Sequence, residues 1–425
     1  MSTPLDPVDA AWLRMETPTN PMTILVVLWT ASPVSVEVVR ARLAALVARF
    51  PRFRQAVVER RTGPAWEDDP AFSVEAHLHH VALPAPADRA ALAALAGDLG
   101  AAPLDLRFAP WQAHLVDGYD GGSALVVRVH HCVADGVSLA RALLTLIDEP
   151  PEPASLMPTG LRDGGHVRSL WTGLRAAIDA ERLLALPADP DTSLRGAVTT
   201  PIKRCGWTAP IALAEVKAVG RALGATVNDV LAACVASALG AHLREAGQDV
   251  PQVRAFVPVN LRPVGDVELG NRFSMVLLPL PVGERDPVEA VRAVHAEMSR
   301  IRGGAEPAVV WGLLSVAGQV PRAAEALIVD LMDRKGSLVL THVRGPEAVV
   351  HLGGARVGGV AVWVPQSGRV GLGVSLFSYA GGVVVGVAAD ASRVADPQGV
   401  ADGVAAAFGA LQAAVRRIGG GHLAP

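Results

Sequence analysis

The chain has 425 residues, of which 51% are hydrophobic and 19% are charged, and its formal net charge is −3. This length exceeds one ordinary hydrophobic core and predicts two domains, while the hydrophobic content excludes a disordered protein. The slightly negative charge argues against a nucleic-acid binder, which needs a basic face.

The cysteines and the N-terminus indicate the compartment. Cys132, Cys205 and Cys234 show no CxxC or metal spacing, which predicts free thiols in a reducing compartment. The N-terminal MSTPLDPVDAAWLRM lacks the segments of a signal peptide. The sequence contains no uninterrupted run of about 18 apolar residues, so we predict no membrane span. We therefore expect a cytoplasmic protein. Its mean hydropathy of +0.34 leaves room for an apolar channel, or for peripheral contact with the inner membrane face or lipid droplets.

Helices and strands are predicted to alternate along the first half. Asp6 and Pro7 begin a helix that ends near Glu16, because Asp is a favoured N-cap, Pro a favoured first residue, and TPTNP is typical of a turn. The segment MTILVVLW predicts a buried strand, and Ser35 caps a helix that Pro51 ends. The pattern continues with a strand near 53–60, a helix near 88–99, a strand ending at two adjacent histidines and a helix over 138–147.

A proline-rich segment separates the two halves. DEPPEPASLMPTG, residues 148–160, has four prolines in 13 residues and predicts a linker, followed by a helical stretch near 169–186. The second half continues with a helix at 228–245, the strands AFVPVNL and SMVLLPLPV, a helix at 287–302 and a Gly/Val-rich strand region at 338–389. We predict a layered α/β protein with an N-terminal domain at 1–147, a linker at 148–199 and a C-terminal domain at 200–425.

The stretch VHHCVADGVS has the composition of a catalytic loop. Alternation along the strand places His131 on an apolar face and His130 on the opposite, more polar face. An apolar environment lowers the pKa of imidazole, which leaves His131 available as a base. Asp135 either orients the ring or holds the loop through an ion pair. Gly136 permits a sharp turn after the strand.

Other interpretations of this stretch are weaker. An isolated pair of histidines is often only a pair of core residues before a turn. The second pair of the chain, His79-His80, lacks Asp-Gly at the same offset, and we interpret that pair as structural. GVSLA, residues 136–140, resembles a hydrolase nucleophile elbow, yet its last glycine is replaced and Ser138 is better placed as a helix N-cap. Zinc is disfavoured because adjacent histidines project to opposite faces and no third ligand has suitable spacing.

The motif and several further blocks resemble a known family. HHCVADG matches the HHxxxDG motif of the CoA-dependent acyltransferase superfamily. The whole chain resembles one branch, the bacterial wax ester synthase/acyl-CoA:diacylglycerol acyltransferase family. The blocks that carry this resemblance are PLDPVDAAWLRMETPTNPM, FPRFRQ, APWQAHLVDG, VNDVLAA, VPVNLRP, LGNRFSMVLLPLP and SYAGGVVVGVAAD.

Two blocks depart from the family pattern. The tripeptide PLW reads Ala109-Pro110-Trp111, and the block SNVPGP reads THVRGP at residues 341–346. The chain is also somewhat short for the family. These departures bear on substrate choice more than on whether chemistry occurs.

The resemblance implies two chloramphenicol-acetyltransferase-like domains, each a mixed sheet with helices, and a tunnel between them. It implies direct acyl transfer from acyl-CoA as a substrate, without a cofactor, a metal or an acyl-enzyme. His131 is then the base, and His130 and Asp135 shape the loop. The superfamily pairs this Asp with an Arg from the second half, for which Arg262 is the candidate.

The resemblance also implies substrate-binding residues. Asn228 and Asp229 correspond to the Asn-Asp pair of the family, with Asn228 important for activity; the alternative is that Asn228 caps a helix. Trp111 and Asn271 are further candidates, with a core residue and a turn former as the respective alternatives.

The acyl chain is expected between two apolar segments of the second half. The helix from residue 228 has an uninterrupted apolar face that includes Ala238, and the strand SMVLLPLPV follows the charged Arg272. We predict that both segments line an apolar tunnel reaching His131, with Ala238 limiting chain length and Arg272 binding substrate. The alternative is that both belong to the second core.

The leading functional prediction is an O-acyltransferase that joins a long-chain acyl-CoA to a fatty alcohol or a diacylglycerol. A second possibility keeps this chemistry but uses a carrier-protein donor or a small-molecule acceptor. A third is a non-catalytic lipid-binding protein.

Overall fold

The structure is a computed structural model that describes residues 2–149, 181–182, 185–196, 199–262, 268–304, 306–366 and 368–420. Most of the predicted linker at 148–160 and of the predicted helical stretch at 169–186 lies outside the described residues.

Helices are distributed along the whole described chain, and their caps follow from the sequence. Asp6, Ser35 and Asp88 each accept a backbone hydrogen bond at the start of a helix, and Pro7 and Pro287 occupy first positions. The helices are α1 Pro7–Met15, α2 Val36–Arg49, α3 Val74–His77, α4 Arg89–Ala101, α5 Gly136–Leu143, α6 Leu213–Leu223, α7 Val227–Glu245, α8 Pro287–Arg302, α9 Glu306–Ala317, α10 Arg322–Asp333 and α11 Pro397–Gly420. Short 3₁₀ turns occur at Pro51–Arg54, Tyr119–Gly121 and Leu144–Leu146.

The strands form two large mixed sheets and one small antiparallel sheet. They are β1 Thr3–Pro4, β2 Thr23–Thr30, β3 Gln55–Arg60, β4 Gly63–Asp68, β5 Leu78–Ala82, β6 Trp111–Asp117, β7 Ser123–His130, β8 Lys203–Trp207, β9 Ile211–Ala212, β10 Val253–Asn260, β11 Phe273–Leu280, β12 Leu338–Arg344, β13 His351–Leu352, β14 Ala355–Trp363, β15 Leu372–Tyr379 and β16 Gly382–Asp390. The small sheet has the order β1-β4-β3. The mixed α/β fold that the sequence predicts is therefore confirmed.

The first large sheet takes strands from both halves of the chain. Its order is β13-β14-β2-β7-β6-β5, with β5 and β6 parallel and the other neighbours antiparallel. The strand β14 pairs with β2 from Val357 opposite Thr30 to Trp363 opposite Leu25. The predicted boundary near residue 200 divides the chain in sequence. It does not separate the two large sheets, because the first sheet contains strands from both sides of that boundary.

The second large sheet opens between two of its strands. Its order is β11-β10-β12-β15-β16-β8, and β9 pairs with β16. The strands β10 and β12 are parallel and pair only at Ala255 with Leu338 and at Phe256 with Val339. Both strands continue for several residues beyond these pairs, so a gap opens in the sheet.

Separate apolar clusters lie on the two faces of the second sheet. On one face, α6, α7, α8 and α11 cover a large core that includes Val230, Leu231 and Val385. A smaller cluster on the other face contains Phe256 and Val310 and is covered by α9 and α10. The gap between β10 and β12 therefore lies between two differently lined spaces.

No single helix in the described part of the chain is long and apolar enough to cross a bilayer. The consecutive helices α6 and α7 reach that length and composition only together, and they are bent by 96° relative to each other.

The start of α5 corrects one prediction. Asp135, and not Ser138, is the N-cap, because its carboxylate accepts from the Ser138 backbone N–H at 2.8 Å. Gly136 is the first helical residue and has no positive φ; a Cβ there would come within 3.2 Å of Val343. We therefore attribute the glycine to close packing and not to a sharp turn.

Candidate active site

The double-histidine loop leaves the end of β7, a strand that is buried on both faces. The backbone N–H of His131 donates to the carbonyl of Met22 at 2.7 Å, which continues the β2–β7 pairing by one residue. Two side-chain orientations then follow from strand alternation, and the two rings enter different environments.

His131 lies in an aromatic environment. Its ring stacks on Trp12 with centroids 4.1 Å apart and an interplanar angle of 16°, and Phe273 lies 5.8 Å away. Burial lowers the pKa of His131 to about 4, and the negative charge of Asp135 opposes this shift. The imidazole is therefore neutral at physiological pH and can accept a proton, as the sequence predicts for an apolar environment.

His130 faces a carboxylate that the sequence analysis did not identify. Its Nδ1 accepts from the Cys132 backbone N–H at 3.1 Å, so Nε2 carries a ring proton. That Nε2 lies 3.2 Å from Oε2 of Glu16. Burial raises the pKa of Glu16, but its contacts with His130 and the Met22 backbone outweigh burial and leave that pKa below its ordinary value. This polar pair supports the loop from the face opposite His131.

Asp135 connects the loop to the second half through a buried ion pair. Its Oδ2 lies 2.9 Å from Nη2 and 3.2 Å from Nε of Arg262, and both side chains are almost wholly buried. The pair expected from the superfamily resemblance is thus present. Oδ1 of the same carboxylate accepts from Ser138, and Oδ2 also accepts from the Arg272 backbone N–H at 3.0 Å. Asp135 therefore acts as a structural connection, and Ser138 is fully engaged in it.

Asn271 attaches a second point of the loop to the N-terminal helix. Its Nδ2 donates to the His131 carbonyl at 2.7 Å and to Asp9 Oδ1 at 2.8 Å, and its backbone N–H donates to the same Asp9 oxygen at 2.9 Å. Burial raises the pKa of Asp9 from 3.8 to about 7, and the hydrogen bonds from Asn271 oppose this shift. Asn271 is neither a free turn former nor part of the cavity wall; it positions the loop.

His131 lines a cavity of about 690 Å³ that lies at the gap in the second sheet. Consecutive residues of both separated strands line it, namely Val257, Pro258, Val259 and Asn260 of β10 and Thr341, His342, Val343 and Arg344 of β12. Because consecutive strand residues point to opposite faces, this lining places cavity space on both sides of the sheet. A cavity therefore reaches His131, which the predicted tunnel requires.

Several predicted substrate-binding residues lie away from this cavity. Trp111 is 1% exposed, donates to the Phe53 carbonyl at 2.6 Å and stacks on His77, so the core alternative holds. Ala238 is buried in the second core, where it packs against Gly403 of α11. Ala238 is therefore not part of the cavity wall, and the alternative that it belongs to the second core describes its position.

Arg272 and the Asn-Asp pair also have distinct positions. The Arg272 guanidinium is paired with exposed Glu268 at 3.1 Å and does not line the cavity. Asp229 is fully buried in a capping box with Thr226, which is the N-cap of α7. Asn228 is therefore not the cap. It is exposed and lines the cavity. Of α7, only Val227 and Asn228 line the cavity. Met275 of the predicted strand lines it as well, together with Phe273, which precedes that strand.

The residues that the sequence analysis missed come mainly from α1. Asp9, Trp12 and Glu16 are three and four residues apart, which places them on one side of the helix and its C-cap. The sequence did contain a signal for these residues, since two acidic residues lie on the same side of the helix as a Trp. A carboxylate on a buried face needs a partner, so this pattern indicates contacts with another part of the chain.

Comparisons with known proteins identify the family of this chain. Residues 5–162 match the family model described as wax ester synthase/diacylglycerol acyltransferase catalytic domain, and residues 269–412 match the C-terminal domain of the same family. A probable diacylglycerol O-acyltransferase of Mycobacterium tuberculosis is 29% identical, over 83% of this chain and 82% of the relative. Another putative diacylglycerol O-acyltransferase of that species is 28% identical, over 94% of this chain and 88% of the relative.

Solved structures show the same fold. A wax ester synthase/diacylglycerol acyltransferase from Marinobacter aquaeolei has a TM-score of 0.72 at 23% identity, covering 97% of this chain and all of that one. The starter condensation domain of rhizomide synthetase, solved with C8-CoA and Leu-SNAC, has a TM-score of 0.63 at 17% identity, covering 98% of this chain and 94% of that one. At these identities the likeness concerns the fold alone.

Proposed function

The chain belongs to the wax ester synthase/diacylglycerol acyltransferase family, and on this basis we propose that it transfers a long-chain acyl group from acyl-CoA to the hydroxyl of a fatty alcohol or a diacylglycerol. The observation that carries the proposal is His131, a neutral buried imidazole that lines a mainly apolar cavity at the gap in the second sheet. A cavity of this kind suits an apolar acyl chain and limits the access of water to the reaction.

The proposed reaction needs one base and no covalent enzyme intermediate. His131 accepts the proton of the acceptor hydroxyl, and the oxygen of that hydroxyl attacks the thioester carbonyl. The C–S bond then breaks, the ester is released, and the CoA thiolate takes the proton from the imidazolium. Burial disfavours that imidazolium, whereas the charge of Asp135 stabilises it, so a short-lived cation fits this site.

The loop partners give the base a fixed position. Asn271 holds the His131 carbonyl and the Asp135–Arg262 pair holds the far end of the loop. A base positioned by buried hydrogen bonds avoids the entropy of searching for its reactive geometry. We assign Asp135, Arg262 and Asn271 as positioning residues in this proposal.

The test is release of free CoA thiol from palmitoyl-CoA, measured with hexadecanol, a diacylglycerol or short alcohols as acceptors. We expect turnover with the lipid acceptors and its loss in His131→Ala. Turnover only with short alcohols would support the small-acceptor alternative. Lipid binding without thiol release would support a non-catalytic protein, and a donor requirement for a carrier protein would contradict acyl-CoA use.

We further propose peripheral contact with a lipid surface through α9 and α10. Their inner residues Leu313, Leu314 and Met332 line the cavity, while Leu327 and Val316 are 72% and 49% exposed. A helix pair that is apolar on both sides suits delivery of a water-insoluble acceptor. Cosedimentation with phosphatidylcholine vesicles containing diacylglycerol tests this, and retention of binding by Leu327→Glu would contradict it.

A further inference from the structure

Three solvent-exposed cations line the cavity, and we infer that Lys217, Arg302 and Arg344 lie at one mouth of it and bind the phosphates of the CoA nucleotide. The inference rests on the proposed function and adds to it the direction in which the donor enters. CoA carries a 3′-phosphate and a 5′-diphosphate, so its nucleotide end needs ammonium or guanidinium partners.

The three cations come from separate elements and converge on the cavity. Lys217 lies on α6, Arg302 ends α8 and Arg344 ends β12; all three line the cavity and are exposed to solvent. Nη2 of Arg302 donates to Ser299 Oγ at 3.2 Å. In the described part of the chain, none of the three forms an ion pair with a carboxylate. Glu347, which also lines the cavity, contributes one negative charge near them.

Backbone hydrogen bonds fix this mouth in place. The Leu213 N–H, at the start of α6, donates to the Gly381 carbonyl in the β15–β16 turn at 2.8 Å. The Ala380 N–H in the same turn donates to the Pro346 carbonyl at 2.9 Å. The helix that carries Lys217 and the segment that follows β12 are thus connected through one turn. The backbones that carry Lys217 and Arg344 are therefore held relative to each other, which reduces the entropic cost of binding.

Arg344 is a departure of this chain from the pattern that it otherwise resembles. In the block SNVPGP, the first proline corresponds to Arg344 of THVRGP. Proline carries no charge, so the replacement adds a cation at the cavity mouth. Since the residue is exposed and has no ion-pair partner among the described residues, a stabilising role in the fold does not explain it.

The remainder of the cavity has the opposite character, which determines the orientation of the donor. On the other side of the sheet, most lining residues are apolar and include Val310, Leu313 and Val329, with Asp333 at the end of α10 as a charged exception. The catalytic loop lies at the gap between the two sides, because Gly136 packs against Val343 of β12 there. A donor with its phosphates at the cations and its acyl chain on the apolar side therefore places its thioester beside the loop.

The experiment compares two donors that differ only in the nucleotide. Steady-state kinetics are measured with palmitoyl-CoA and with S-palmitoyl-pantetheine, which lacks the phosphates, for the wild type, Lys217→Ala, Arg344→Ala and the double variant. Binding of adenosine 3′,5′-bisphosphate is measured by calorimetry, which does not require turnover. The matched control is Arg221→Ala, an exposed cation one turn along the same helix that does not line the cavity.

We expect Lys217→Ala and Arg344→Ala each to raise KM for palmitoyl-CoA about five- to tenfold, since each removes a charge-assisted contact. Each should also weaken binding of the bisphosphate by a similar factor. Kinetics with the pantetheine donor and with Arg221→Ala stay at the wild-type level. Glu347→Gln has the opposite sign and lowers KM for palmitoyl-CoA.

Two results would overturn the inference. One is an equal loss with both donors, which would mean that the cations serve the general structure. The other is unchanged bisphosphate binding in the double variant. A wild-type protein that binds the bisphosphate but never releases thiol would instead contradict the proposed function, so the two failures are distinguishable.

Discussion

Replacing Asp135 by Asn tests whether the buried ion pair holds the catalytic loop. Oδ1 of Asp135 caps α5, and Asn is an equally good cap, so that contact is retained. The amide NH₂ then takes the position of Oδ2, where it faces the Arg262 guanidinium and the Arg272 backbone N–H. Three donor groups then converge there with no acceptor, and the ion pair between Asp135 and Arg262 is lost.

The structure limits the size of this effect. Breaking a buried pair by changing one partner costs about 3–5 kcal/mol. Arg262 retains the carbonyl of Glu268 at 2.7 Å and that of Gly270. We therefore expect the lower end, a loss of about 3 kcal/mol in the free energy of unfolding. Turnover per folded molecule also falls, because the loop that carries His131 loses one of its attachments.

The measurement is urea unfolding followed by tryptophan fluorescence, combined with thiol release. The double variant Asp135→Asn/Arg262→Gln is expected to be more stable than the sum of the single changes predicts, by about 1–3 kcal/mol. Asp390→Asn, at the buried Lys203–Asp390 pair, is the control that lowers stability without changing turnover per folded molecule. A loss below about 1 kcal/mol, or strict additivity in the double variant, would refute the reasoning.

Further predictions concern the base, the buried acid and the acyl chain. His131→Ala lowers ester formation about 10²–10⁴-fold at unchanged melting temperature, and residual activity above a tenth of wild type would contradict its role as base. In the wild type, the acid limb of kcat/KM is centred near pH 4, the pKa of His131, and not near 6.5. Asp9 keeps its proton in the folded state up to about pH 7, whereas the unfolded chain loses it near pH 3.8. The free energy of unfolding therefore decreases as the pH rises from 3.8 to 7. Asp9→Asn removes this decrease, which urea midpoints measured across that range would show. Leu314→Trp lowers kcat/KM for palmitoyl-CoA at least about tenfold relative to butyryl-CoA by filling the apolar side, whereas Ala238→Phe lowers stability and leaves the ratio unchanged.

Local signals predicted the elements and the position of the base. Asp6, Ser35 and the strand before the double histidine act through neighbours within a few residues, so caps and alternation suffice to place them. The resemblance added the pairing of Asp135 with Arg262, which are 127 residues apart and which no local pattern connects.

The remaining assignments depended on packing between distant elements. The small Ala238 suits a tunnel wall and a tight helix contact equally well, and the position of α11 decides between them. Trp111 has a similar ambiguity, which the carbonyl of Phe53 resolves. The gap between β10 and β12 is also invisible in the sequence, because both segments have ordinary strand composition.

The strand β14 has a consequence for synthesis of the protein. Until residue 363 has left the ribosome, β2 exposes an unpaired edge from Leu25 to Thr30, although its own neighbour β7 was made long before. Such an edge is a template for pairing with other chains. A fragment that ends within the first half is therefore expected to aggregate, and adding the second half as a separate chain should rescue it by supplying the missing strand.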